Sequence, residues 1–175
     1  MKKINVHKLA LIGVLTALTI VIAIAESFIP SIGIPGIKFG FANIVILVIL
    51  YELGIWEAVF VNLLRVFIVG LVRGNLITMG FLMSLTGAVL SLSIMILFYL
   101  LIRKFSIVGV SVLGSITHVI GQILIAMLFL ESSYVLYYLP VIGLAAIITG
   151  VFVGFVAKVI IRTNVIKKQK QRYQF

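Results

Sequence analysis

Apolar residues form six long blocks along the chain, and short groups of polar, proline and glycine residues separate these blocks. A helix needs about 18–20 mainly apolar residues to cross the hydrocarbon core of a bilayer. The second block is shorter, and the sequence "PGIKFG" introduces it. The pattern predicts six transmembrane helices, at residues 8–29, 39–53, 55–72, 78–102, 107–130 and 140–161.

The composition excludes a soluble domain of this size. Hydrophobic residues make up 63% of the 175 residues and charged residues only 10%, whereas soluble domains have about 25% charged residues. The absence of cysteine excludes a disulfide framework. The first apolar block is too long for the core of a signal peptide, so we expect it to remain as the first helix. The prediction is an all-α integral membrane protein with a single six-helix domain over residues 1–175.

The net charge of +10 has a topological explanation. Most of the 14 basic residues flank the first and last helices, including Lys2, Lys3 and the basic tail over 162–175. Such clusters follow the positive-inside rule and contact anionic lipid headgroups. Both termini are therefore predicted to be cytoplasmic, with Arg103 and Lys104 on the same side, in a multi-pass protein of the bacterial cytoplasmic membrane. This explanation is preferred to nucleic-acid binding.

Several polar side chains fall inside or beside the apolar blocks. A charge deep in a bilayer costs about 2.5–3.5 kcal/mol on insertion scales, so it usually faces a protein interior or a cavity. Interhelical hydrogen bonds, and for the two cations near the membrane surface snorkelling, are the alternative explanations. The candidate substrate-binding residues are Lys38, Asn43, Asn62, Arg65, Arg73, His118 and Gln122.

These residues suit the binding of an anion rather than the breaking of a bond. The chain has no aspartate, so it lacks the aspartate-rich motifs with which prenyl synthases hold Mg²⁺ and diphosphate. Its four glutamates and two histidines are scattered, and no nucleotide-binding P-loop or nucleophile–base set is present. We therefore expect no catalytic residue, no metal and no cofactor, and the chain would be at most an accessory subunit of an enzyme.

Three motifs resemble a known group of membrane proteins. They are "KFGFANI" at 38–44, "LLRV" at 63–66 and "THVIGQ" at 117–122. The region 35–75 is similar to helices two and three of the substrate-binding S components of energy-coupling factor (ECF) transporters. The chain resembles more closely the family called heptaprenyl diphosphate synthase component I, also known as the Gx transporter family, and this resemblance covers most of the chain.

The resemblance implies an S-component-like bundle with partners. Such a subunit would bind a small molecule from the outer side and work with a transmembrane scaffold and two ATPase subunits. Ala10, Gly13 and Ala17 form a small-residue stripe on the first helix, which would let a scaffold helix approach closely; packing inside the bundle is the alternative. The basic rim and apolar walls favour a partly apolar anion, such as a prenyl phosphate or a quinone precursor.

Two other functions remain open at this point. The family name implies a non-catalytic accessory subunit of heptaprenyl diphosphate synthase, and a stand-alone transporter is the third hypothesis. Lys38 and Asn43 are predicted to line an outward-facing pocket that the Pro/Gly loop over 30–37 closes.

Overall fold

A computed structural model describes residues 6–28, 38, 40–101, 105–163 and 166, and all statements below concern these residues. They form helices, turns and loops, and no strand occurs among them. The helices are α1 (Val6–Glu26), α2 (Asn43–Glu52), α3 (Ile55–Val72), α4 (Met79–Leu101), α5 (Ile107–Leu130) and α6 (Leu139–Arg162), with a 3₁₀ helix (Ser133–Tyr138) before α6.

The described helices have the length and composition of membrane spans. Five of them are long and apolar enough to cross a bilayer, and α2 is an apolar helix of only ten residues. Large apolar side chains cover the outside of the bundle, as lipid-facing surfaces require. The prediction of an all-α multi-pass membrane protein with six helices is confirmed.

Helix α2 lies in the middle of the bundle, where it packs against α1, α3 and α6. Eight of its ten residues are buried, and it is hydrophobic on every side, which is the pattern of a helix surrounded by protein. At 1.5 Å per residue it is about 15 Å long, half the thickness of the hydrocarbon core. The described residues before it, Lys38 and 40–42, are not helical, which a membrane protein tolerates where the chain is covered by protein or lines a cavity.

Glycines bring α4, α5 and α6 into close contact. A Cβ atom at Gly150 would lie 2.8 Å from Val112 Cα, and one at Gly154 would lie 2.7 Å from Val108 Cα. The Gly150-x-x-x-Gly154 spacing therefore forms the face of α6 that meets α5, as small-xxx-small motifs do in membrane proteins. On the other side of α5, a Cβ atom at Gly121 would lie 3.0 Å from Gly87 of α4.

The predicted boundaries hold best where the sequence changes abruptly. Helices α3 and α5 begin and end at the predicted residues, Ile55–Val72 and Ile107–Leu130. Helix α2 begins at Asn43, four residues later than predicted, because Gly40 has φ +82°, which a helix cannot continue. The 3₁₀ helix was not predicted, because its residues resemble an ordinary loop. Several elements of the sequence analysis lie outside the described residues: the loop 30–37, Lys2, Lys3, Arg103, Lys104 and the tail beyond 163, except Ile166.

Candidate functional site

A cavity lies at the end of the bundle where α1 and α3 end and α4 begins. It has a volume of about 40 Å³, and α5 and the chain before α2 complete its wall. By the predicted topology this is the outer end. Its apolar wall comes from small and aromatic residues, and its polar groups come from five segments of the chain. The charged and ionisable residues of the wall are Glu26, Lys38, Arg65, Arg73 and His118.

Arg65 forms the buried cationic end of the site. The side chain is 5% exposed, and its Nη2 donates to Asn62 Oδ1 at 2.8 Å. Nη1 and Nη2 also approach Asn43 Oδ1, at 3.4 and 3.5 Å. A guanidinium has five donors in a fixed plane, so these two amides leave donors directed elsewhere. Arg65 faces the interior, as the cost of a lipid-facing arginine predicts.

The two asparagines connect three helices around Arg65. Asn62 Nδ2 donates to the carbonyl of Ala88 in α4 at 3.0 Å. Asn43 Nδ2, at the first residue of α2, donates to Ser91 Oγ at 3.4 Å. Each amide thus accepts from Arg65 with its oxygen and donates to α4 with its nitrogen. This arrangement satisfies buried polar groups that would otherwise be costly, and it fixes the position of the guanidinium.

Lys38 reaches across the cavity to α4. Its Nζ donates to Ser84 Oγ at 2.9 Å, and the Ser84 hydroxyl in turn donates to the Gly80 carbonyl. The side chain is partly buried. Burial lowers the pKa of the Lys38 ammonium from its ordinary value, while the carboxylate of Glu26 acts in the opposite direction. The ammonium points into the bundle, so it does not snorkel toward lipid headgroups.

His118 and Gln122 form a buried pair on α5. Gln122 Oε1 accepts from the backbone N–H of Lys38 at 3.3 Å, so the amide nitrogen is the atom that faces His118 Nε2, at 3.0 Å. An amide nitrogen only donates. His118 Nε2 is therefore the acceptor, and the neutral ring carries its proton on Nδ1. That Nδ1 is buried without a hydrogen-bond partner among the described residues, and it faces Gly87 of α4.

Glu26 belongs to the site although the sequence analysis did not select it. It ends α1, is 6% exposed, and lines the cavity with Lys38 and Arg65. Its Oε1 accepts the backbone N–H of Gly40, which lies three positions before the first residue of α2. Negative charge is favourable near the N-terminus of a helix, so the Glu26 carboxylate is well placed near the start of α2. The signal for it was a lone acidic residue at the end of an apolar run.

The seven predicted residues differ in their distance from the cavity and in their exposure. Six of them lie together in or directly behind the cavity wall, whereas Arg73 is exposed at the end of α3 and forms the rim. Their role in binding a ligand stays a prediction. Among the described residues, no three histidine, cysteine or acidic side chains lie close enough together to hold a metal ion.

The small-residue stripe of α1 lies on the outside. Ala10, Gly13 and Ala17 are all exposed, and a Cβ atom at Gly13 would meet no atom within 4 Å. The opposite side of α1 packs on α3 and α2. Near its start, Lys8 forms an ion pair with Glu57 of α3, a pairing that the sequence analysis did not assign.

Comparisons with known proteins identify the family of the chain. A family model described as heptaprenyl diphosphate synthase component I matches residues 15–160. The matched range includes Lys38 and helices α2 to α5, and therefore every candidate ligand-binding residue. No curated protein and no solved structure matches the chain.

Proposed function

Because the chain belongs to the heptaprenyl diphosphate synthase component I family, we propose that it is a membrane subunit that binds a small, partly apolar anion. In this proposal it acts as the S-component-like subunit of an ECF-type uptake transporter and takes its ligand from the outer side. A transmembrane scaffold and two ATPase subunits would supply the transport step, since the sequence contains no P-loop. The chain itself would bind and not catalyse.

One observation carries the proposal, namely the buried Arg65 beside Lys38 in a cavity with apolar walls. Small-ligand sites combine such walls with a few fixed polar groups. Two amides hold the guanidinium in place, so an anion would meet donors that need little reorganisation. The short α2, with non-helical chain before it, resembles the interrupted helices that surround ligands in transporters.

The exposed stripe on α1 supports a partner at this surface. Ala10, Gly13 and Ala17 offer an uncovered surface on which a helix of a scaffold could lie at short distance. Bulky neighbours such as Val14 and Leu18 would remain beside that helix.

The family description favours a second candidate. In it, the chain is the non-catalytic component I of a heptaprenyl diphosphate synthase and has a soluble catalytic subunit as its partner. The same cavity would then hold the headgroup of a prenyl substrate or product at the membrane.

Mild purification from native membranes distinguishes these functions. Co-purification of a scaffold and two ATPases supports the transporter subunit, and co-purification of a prenyl synthase supports the accessory subunit. A chain isolated without either would favour the stand-alone transporter. Mass spectrometry of the small molecule retained by the wild type, and lost from Arg65→Ala, tests the cavity directly; equal retention by both would contradict it.

A further inference from the structure

We propose that Glu26 makes the cavity selective for ligands that carry a single negative charge, such as a carboxylate on an apolar tail. The inference rests on the function proposed above and specifies the chemical class of the ligand. It predicts that a monoanion binds more tightly than the phosphate and diphosphate esters that the family description suggests.

The charges that line the cavity do not balance. Arg65 is buried and Lys38 is partly buried, while Glu26 is the one carboxylate of the described wall. Two cations and one carboxylate leave a single positive charge. His118 adds none, because its Nε2 accepts a hydrogen bond. Arg73 also lines the wall, but it is exposed at the rim, where water weakens its attraction for an anion without removing it.

Binding has the lowest electrostatic free-energy cost when the ligand carries one negative charge, because the buried charges of the cavity then sum to zero. An uncompensated charge in a buried site is strongly unfavourable. A carboxylate would neutralise the surplus. A phosphate monoester, with a charge of about −1.5 to −2 at neutral pH, or a diphosphate would leave excess negative charge beside Glu26.

Glu26 cannot readily leave the site. Its Oε1 accepts the N–H of Gly40, and Gly40 has φ +82°, with its position fixed between Glu26 and the start of α2. This hydrogen bond and the nearby cations Arg65 and Lys38 favour the ionised form of the carboxyl. In that form the carboxylate presents a negative charge, held at one position, to an incoming ligand.

The size of the cavity agrees with a small headgroup. The cavity volume of about 40 Å³ exceeds the roughly 10–15 Å³ that a cavity needs to hold one water molecule, so a small polar headgroup can enter it. A carboxylate has three heavy atoms, whereas a diphosphate has nine. The apolar wall, with Val66, Val69 and Phe81, would receive the first carbons of the tail.

The test uses four ligands with the same ten-carbon skeleton: geraniol, geranate, geranyl phosphate and geranyl diphosphate. Their affinities are measured for the wild type, Glu26→Gln and Glu131→Gln in nanodiscs. Glutamine keeps an oxygen that can accept from Gly40, so the substitution removes charge and preserves the hydrogen bond. Glu131 is exposed at the end of α5 and outside the cavity wall. Its substitution makes the same change in net charge.

The wild type should bind geranate most tightly and the diphosphate most weakly of the three anions. Glu26→Gln should shift the ratio of phosphate to geranate affinity toward the phosphate by at least about tenfold, which corresponds to ~1.4 kcal/mol. Glu131→Gln should keep the wild-type ratio. Lys38→Gln, which leaves the cavity neutral, should bind geranate no better than geraniol, and this variant keeps the test valid if Glu26→Gln does not fold.

The outcomes distinguish the role of Glu26 in selectivity from the existence of an anion pocket. If anions bind more tightly than geraniol but the ranking is the same in wild type and Glu26→Gln, the role of Glu26 is refuted and the anion pocket stands. If no anion binds better than geraniol, the anion pocket is refuted, and the selectivity with it.

Discussion

The contact between α5 and α6 predicts how much stability the protein loses when a glycine at this contact is replaced by alanine. In Gly154→Ala, the new Cβ atom would lie 2.7 Å from Val108 Cα and 2.8 Å from Ser111 Cβ. Ordinary contacts begin at 3.4 Å, so the atom is too close by 3.4 − 2.7, or about 0.7 Å. The first of these neighbours is backbone, which cannot rotate away. The helices must therefore separate, and the contacts along their whole interface weaken.

The expected cost can be isolated with a matched substitution. Overpacking of this kind costs about 1–3 kcal/mol, while Gly to Ala within a helix gains about 0.5–1 kcal/mol. Gly143→Ala, in the same helix, has the same gain but no atom within 4 Å of the new Cβ. We expect Gly154→Ala to be less stable than Gly143→Ala by about 1–3 kcal/mol, because the helix-propensity gain cancels in the comparison.

Unfolding in mixed micelles measures this difference. The free energy of unfolding is obtained from the loss of helical circular dichroism as sodium dodecyl sulfate is added, for the wild type and both variants. Gly143→Ala should be as stable as the wild type or slightly more stable. Equal transition midpoints for the two variants would show that α5 and α6 are not in close contact at Gly154, and the described packing of this half of the bundle would be wrong.

Three further predictions concern binding and transport. Arg65→Lys should weaken binding of geranate nearly as much as Arg65→Ala, because an ammonium lacks the planar fork that meets both amides and an anion; a Lys variant with wild-type affinity in calorimetry would contradict this. Lys38→Gln should weaken geranate binding by about 1–3 kcal/mol, as loss of a charge-assisted hydrogen bond does, and Lys38→Arg less; identical affinities of wild type and Lys38→Gln at two salt concentrations would exclude Lys38 from the site. Gly13→Leu should abolish uptake into cells and keep geranate binding, because it obstructs only the exposed stripe; simultaneous loss of both would indicate a defect in folding.

The apolar pattern predicted the helices well because each long block has one stable solution in a bilayer. Backbone hydrogen bonds must be satisfied within the segment, so a long apolar run becomes a helix with ends near its polar flanks. This explains why α3 and α5 were predicted to the residue. The start of α2 was less predictable, since the conformation of Gly40 depends on its contact with Glu26, a residue on another helix.

The interior positions of some candidate site residues were predictable for the same kind of reason. An arginine in the middle of a membrane span is costly when it faces lipid. Arg65 and its neighbour Asn62 could therefore be assigned to the interior from the sequence. The partners that complete the site are hydroxyls and amides of other helices, such as Ser84 for Lys38 and Ser91 for Asn43. Serine is common in membrane helices, and its sequence position does not indicate which cation or amide it will meet.

Glu26 shows why a count of charges along the sequence is not a count of charges in a cavity. Along the chain it is separated from Lys38 by 12 positions and from Arg65 by 39, so nothing in the local pattern connects it with either. In the fold the three line one cavity, because α1 ends where α2 begins and α3 runs beside both. In the sequence, the cationic candidates alone indicated that the ligand is an anion, and they did not indicate its charge. The fold adds one carboxylate to the same space, and the cost of an uncompensated buried charge is the reason why we propose an anion with a single charge.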